Sequence, residues 1–113
     1  MRKQPPDQLA EAARDWNKEP YELRLFIAGS SPRSLRAIEN LRSICRQLLP
    51  HRFNLEVIDI LLHPDSASRA DIIGAPTLIK DQPPPRRRLV GDLSNRGRVL
   101  SALGLSGSFN IGP

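Results

Sequence analysis

The chain contains one cysteine, Cys45. That excludes an intramolecular disulfide and a cysteine-rich zinc site. Aromatic residues make up only 4% of the sequence, too few for a base-stacking platform on nucleic acid. No apolar run approaches the roughly 20 residues that span a bilayer. The start, Met1-Arg2-Lys3-Gln4-Pro5-Pro6, lacks the apolar stretch of a secretory leader. A cytoplasmic protein without membrane contact is expected. His51 and His63 stand twelve apart with no second ligand spacing around them. Asp59 and Asp92 are isolated, so no carboxylate pair offers acid–base chemistry. Neither a metal nor a cofactor is expected.

The chain does carry eleven prolines in 113 residues. They cluster at element boundaries, as punctuation rather than low complexity. Net charge is +5, and all of it lies from residue 21 onward, because the first twenty residues hold four Lys/Arg and four Asp/Glu. Such a domain suits an acidic protein face, a membrane surface or nucleic acid. The arginines are spread over several elements, which speaks against nucleic acid.

Periodicity divides the chain into an arm, residues 1–20, one domain, residues 21–105, and a flexible tail, residues 106–113. In the arm, Asp7 can cap a helix to about Lys18 with Leu9, Ala12, Ala13 and Trp16 on one face. Pro20 stops it. That face can pack on its own domain or dock on another subunit.

The domain opens with a strand, Tyr21 to Ala28. Gly29-Ser30-Ser31-Pro32 then leads into a helix from Ser34 to Leu49. Leu35, Ile38, Leu41, Cys45, Leu48 and Leu49 form its stripe, and Pro50 ends it. A second strand, Phe53 to Ile60, is nearly continuous in its apolarity, as in a strand buried on both faces. Strand, helix, strand implies a right-handed crossover and a parallel pair. Asp65 or Ser66 can cap a short helix to about Ile73. A strand from Ala75-Pro76 to Lys80 follows, then an extended link at Pro83-Pro84-Pro85. Arg87 to Gly91 reads as an edge strand. Ser94 can cap a last helix through Val99, Leu100 and Leu103.

This order, βαβ-α-ββ-α, is that of the thioredoxin-like α/β fold, with Pro76 where that fold places a cis-proline. The redox pair is missing. The strand-to-helix turn, where a helix N-terminus would lower a thiol pKa, carries Ser30-Ser31-Pro32-Arg33. Cys45 lies about three turns into the helix, among Leu41, Leu48 and Leu49, and reads as an inert structural thiol. Ser30-Ser31 could cradle an anion, but a plain helix cap explains them better. Pro83 to Arg88 resembles a proline-rich ligand with a basic flank, yet between two strands it reads as a rigid connection.

The residues also resemble the KaiB family of circadian-clock proteins. The resemblance is carried by Leu25-Phe26-Ile27-Ala28-Gly29 with Pro32, Ser34, Arg36 and Ala37. Val57-Ile58-Asp59, Ala75-Pro76-Thr77-Leu78, Pro83-Pro84-Pro85, Arg87 and Gly91-Asp92-Leu93-Ser94-Asn95-Arg96 complete it. It implies a non-enzymatic partner of KaiC, a hexameric RecA-type ATPase, bound through its nucleotide-hydrolysing ring. It also implies a histidine kinase or a KaiA-like protein as a further partner, homo-oligomers (dimers or tetramers), and a second packing in which the C-terminal half is rearranged. Clock histidine kinases carry a related sensor domain, so an adaptor or sensor role is the alternative; a basic nucleic-acid-binding protein is a remote one.

On this resemblance Arg36, Phe53, Glu56, Asp71, Arg87 and Arg88 are expected at partner contacts. Pro76, Gly91, Asp92, Ser94 and Cys45 are expected to be structural. The sequence departs from clock KaiB proteins at Glu56 and Asp71, where Lys is common. It departs also at Gly97, where a Glu would complete a capping box with Ser94, in the missing acidic tail and in the added arm. These departures imply a KaiC-like ATPase of its own, in timing or stress control.

Overall fold

The structure is a computed structural model and describes residues 20–105. The arm proper and the tail lie outside the described residues. The elements are β1 (Tyr21–Ile27), α1 (Pro32–Leu48), β2 (Phe53–Asp59), α2 (Pro64–Arg69), β3 (Thr77–Gln82), β4 (Arg87–Val90) and α3 (Arg96–Leu103). The sheet order is β2-β1-β3-β4. β1 and β2 are parallel, in register from Tyr21↔Phe53 to Ile27↔Asp59. β3 runs antiparallel to β1 and to β4. The expected order of elements and the parallel pair are both present.

Alternation along the strands sorts the side chains into two faces. Tyr21, Leu23, Leu25 and Ile27 point to the first, where they meet Leu41, Cys45, Val99 and Leu103 of α1 and α3 in the main core. Fully burying a leucine here contributes about 2 kcal/mol. Phe26, Ile58 and Ile79 form a smaller cluster on the second face, with Ile60, Ala70 and Ile72 against it.

Several local expectations need correction. β2 is not buried on both faces; it is an edge strand among the described residues, and Asn54 and Glu56 on its second face are exposed. Its apolar run is continuous only where Val57 feeds one core and Ile58 the other. The buried stripe of α1 is rotated from the expected one, to Ser34, Ala37, Leu41, Ile44 and Cys45. Leu35 is 51% exposed. The cause is Ser34, whose Oγ accepts from Ala28 N at 3.1 Å and so turns inward.

α2 stops at Arg69 rather than Ile73, because Asp71 takes a left-handed backbone, φ 55°. His63 precedes it without a side-chain cap, so neither Asp65 nor Ser66 is the cap residue. The cap of α3 is Asn95, not Ser94: Asn95 Oδ1 accepts from Arg98 N at 3.1 Å. The Ala75–Pro76 peptide bond is cis.

Candidate functional site

The sheet end at the C-termini of β1 and β2 is built around Asp59. Its Oδ1 accepts from Gly29 N at 3.0 Å and from Leu61 N at 2.9 Å. One carboxylate therefore ties the β1–α1 turn to the β2–α2 turn. Gly29 has φ 58°, and a Cβ there would lie 3.3 Å from Leu61 Cδ1. Glycine is thus required both by conformation and by the close approach. Beside this turn, Gly91 N donates to Pro76 O at 2.9 Å and fastens β4 to the proline loop.

The serines of the turn are occupied internally. Ser31 Oγ accepts from Ser34 N and donates to Ser34 Oγ at 2.9 Å, which makes it the α1 cap. Cys45 is fully buried in the other half of α1, and burial pushes its thiol up to about 12. A thiol in that state is neither a nucleophile nor a metal ligand at neutral pH. In place of reactive groups, this end presents Leu61 at 69% exposure, Leu62 at 72%, Val90 at 58% and Ile73 fully exposed. Leu61 and Leu62 follow β2, Ile73 precedes β3 and Val90 ends β4, so all four lie at the same end of the sheet, spread between its two edge strands. Sequence reasoning missed them; the signal was Leu61-Leu62 set before His63-Pro64, outside any periodic element, while the helix expected to reach Ile73 stops at Arg69.

The expected partner residues divide into groups. Glu56, Asp71 and Arg88 line one cleft on the second face, of about 320 Å³. Arg88 donates to Asp71 O at 2.8 Å and Ala70 O at 2.7 Å, setting a cation on the C-terminal carbonyls of α2. Arg24 and Arg86 also line that cleft and both grip Asp81, at 2.7 and 2.9 Å. Their hydrogen bonds, Arg24's foremost, hold the Asp81 carboxyl below its usual range.

Arg36 lies elsewhere, 3.4 Å from Asp92. Asp92 is held by a whole latch: its Oδ1 accepts from Ser94 N at 3.1 Å and its carbonyl from Asn40 Nδ2 at 3.0 Å. The Ser94 hydrogen bonds first, then Arg36, lower its pKa. Phe53 is half-buried against the main core, and Arg87 pairs with Lys80 in register on the face opposite the cleft. Lys80 was not anticipated. It is 3% exposed, and its Nζ lies 3.8 Å from where a Gly104 Cβ would stand, at the C-terminus of α3. Burial first, then Arg87, lowers its pKa. Its inward position was readable from the alternation Leu78-x-Lys80.

This is a thioredoxin-like scaffold whose β1–α1 turn holds no thiol and whose adjoining sheet end exposes large apolar side chains. The chain matches the KaiB domain over residues 24–105 and belongs to that family. It is 47% identical over 81 residues to "Circadian clock protein KaiB3" of Synechocystis sp., covering 72% of this chain and 79% of that one. It is 44% identical over 88 residues to "Circadian clock oscillator protein KaiB" of Nostoc punctiforme, covering 78% and 85%. Among solved structures, the N-terminal domain of Synechococcus elongatus SasA superposes with a TM-score of 0.66 at 21% identity, over 84% of this chain and 90% of that one. Chloroplastic thioredoxin z superposes with a TM-score of 0.64 at 20% identity, over 93% and 92%. These two likenesses concern the fold. No helix among the described residues is long and apolar enough to cross a membrane.

Proposed function

We propose that this chain is a non-enzymatic regulatory protein that docks on the nucleotide-hydrolysing ring of a KaiC-like RecA-type ATPase and so modulates timing or stress output. The observation that carries this reading is the apolar sheet end. Leu61, Leu62, Ile73 and Val90 are exposed at the sheet end that also carries the β1–α1 turn. Exposed apolar side chains gathered at one end of a sheet support protein docking, and each large side chain fully removed from water there contributes about 1.5–3 kcal/mol. Family membership supplies the class of partner. The same end is open to a second copy of the chain, so homo-oligomers compete with the ATPase for it. The thioredoxin-like packing is the competent form, and the ATPase selects it only by binding it better than any alternative.

The test is size-exclusion chromatography with light scattering. The full chain is mixed with the KaiC-like hexamer encoded in the same genome, with nucleotide present. Co-elution is expected, and separate elution at every nucleotide state rejects the proposal.

A further inference from the structure

A second, smaller cavity, of about 200 Å³, opens at the sheet end where β4 stops. It is lined by Arg33 of α1, Arg98 of α3, residues 91–95 and the last two residues of β4, Leu89 and Val90. Arg33 Nη2 lies 4.0 Å from where a Cβ on Gly91 would stand, so its guanidinium reaches across from α1 to the turn. One carboxylate, Asp92, also lines the cavity, but it is already held by Ser94 N and by Arg36. Among the described residues neither Arg33 nor Arg98 forms an ion pair. Both are exposed. Both stand in the first turn of their helix, where a cation opposes the macrodipole, and neither helix carries an acidic residue there. The helices gain nothing from these two charges. A local rule broken without a compensating contact marks a functional position.

We propose that this cavity takes an acidic side chain, Asp or Glu, of the protein that docks at the apolar sheet end, with Arg33 and Arg98 donating to its carboxylate. The inference rests on the docking reading above and adds the charged determinant of that contact. Size is the first argument. A cavity of about 200 Å³ is smaller than the roughly 300–1,000 Å³ of small-molecule and cofactor sites. It holds a carboxylate and a few waters of about 30 Å³ each. Charge is the second. A guanidinium group pairs with a carboxylate through two parallel hydrogen bonds, and the chain's net charge of +5 draws an acidic partner. Continuity is the third. Val90 belongs both to the apolar sheet end and to the lining of the cavity. A protein that covers Val90 therefore closes the cavity, and an ion pair inside it is shielded from water. Leu89 and Val90 beside the two arginines suit the mixed surface of a protein rather than a phosphate backbone.

Two measurements on the full chain test this. The first titrates a polyglutamate peptide and follows the backbone amides by NMR. Shifts gather at Arg33, Gly91, Ser94 and Arg98 in the native chain and vanish in Arg33→Glu/Arg98→Glu. That variant keeps its fold, because a glutamate in the first turn suits the helix dipole, and circular dichroism checks it. Arg33→Gln/Arg98→Gln, which removes the charge alone, gives the same result. Absence of shifts at these amides overturns the proposal. So does an equal response to sodium phosphate, which assigns the cavity to a free anion, or a tighter one to a single-stranded oligonucleotide, which assigns it to nucleic acid. The second measurement is affinity for the KaiC-like hexamer. Arg33→Glu/Arg98→Glu lowers it by about tenfold or more, whereas Arg42→Glu/Arg46→Glu, exposed on α1 outside the cavity, binds like the native chain. Leu62→Asp separates the two claims. Lost affinity in Leu62→Asp with native affinity in Arg33→Glu/Arg98→Glu leaves docking at the apolar end intact and refutes the charged determinant. If the native chain does not bind the hexamer, the functional reading fails, and the peptide titration alone upholds or refutes the acidic preference of the cavity.

Discussion

Tyr21 Oη donates a 2.8 Å hydrogen bond to the backbone carbonyl of Leu103, 82 residues away. The first residue of the sheet is thereby fastened to the last residue of α3, and both are buried. The bond satisfies one of the carbonyls that a helix C-terminus leaves open.

Tyr21→Phe leaves that buried acceptor unpaired and is expected to cost about 1–2 kcal/mol. Urea unfolding checks this as a lower midpoint at unchanged slope. Burial raises the Tyr21 phenol above its ordinary pKa of 10.0, ahead of the opposing effect of Arg52. The folded state thus disfavours phenolate. Stability is whole below about 10 and is lost as pH rises through the raised pKa, and Tyr21→Phe removes that part of the alkaline loss.

Asp81 governs the acid side. Its carboxyl lies below its ordinary 3.8 because Arg24 and Arg86 bind the ionised form. Its contribution is complete above that value and disappears as pH falls through the depressed pKa. Asp81→Asn is expected to cost about 1 kcal/mol at neutral pH and to flatten the acid limb of the stability curve. Equal acid limbs in the two proteins would refute the role given to the Arg24–Asp81–Arg86 cluster.

The cap of α3 separates two neighbouring residues. Asn95→Ala should destabilise by about 1 kcal/mol, whereas Ser94→Ala, at an exposed position outside the helix, should stay within about 0.5 kcal/mol. Thermal or denaturant unfolding of the pair decides, and the reverse ranking would restore Ser94 as the cap.

Cys45 should behave as a core atom. With its thiol pushed from 9.0 up to about 12 by burial, it resists thiol reagents at neutral pH until the chain unfolds. Labelling should therefore proceed at the unfolding rate. Fast native labelling would show that the thiol is accessible.

The order of elements was legible because each expected element carries its own period or breaker. Leu41 and Cys45 mark α1, Pro50 ends it, and Pro76 opens the loop before β3. Faces and edges were less legible. The apolarity of Val57-Ile58 is the same whether a strand is central or shared between two cores at an edge, so β2 was misplaced. The rotation of α1 depended on a polar group, Ser34, turning inward to satisfy Ala28 N, which no hydrophobic pattern records. At the start of α3 it is Asn95 Oδ1 that accepts from Arg98 N, while Ser94 N donates to Asp92 Oδ1 in the preceding turn. The family resemblance points to the expected partner residues one at a time. Only the folded chain shows that Glu56, Asp71 and Arg88 share a cleft while Arg36 is engaged with Asp92.

The most direct measurement is the affinity of the full chain for the KaiC-like ATPase hexamer, by calorimetry, for the native protein and for Leu62→Asp and Ile73→Asp. Both substitutions are at exposed positions and should leave stability within about 0.5 kcal/mol. Docking through the apolar sheet end predicts a loss of about tenfold or more in affinity for each, equivalent to about 1.4 kcal/mol. Asn54→Asp, on the edge strand away from that end, should bind like the native chain. Native affinity in both Leu62→Asp and Ile73→Asp would contradict the account.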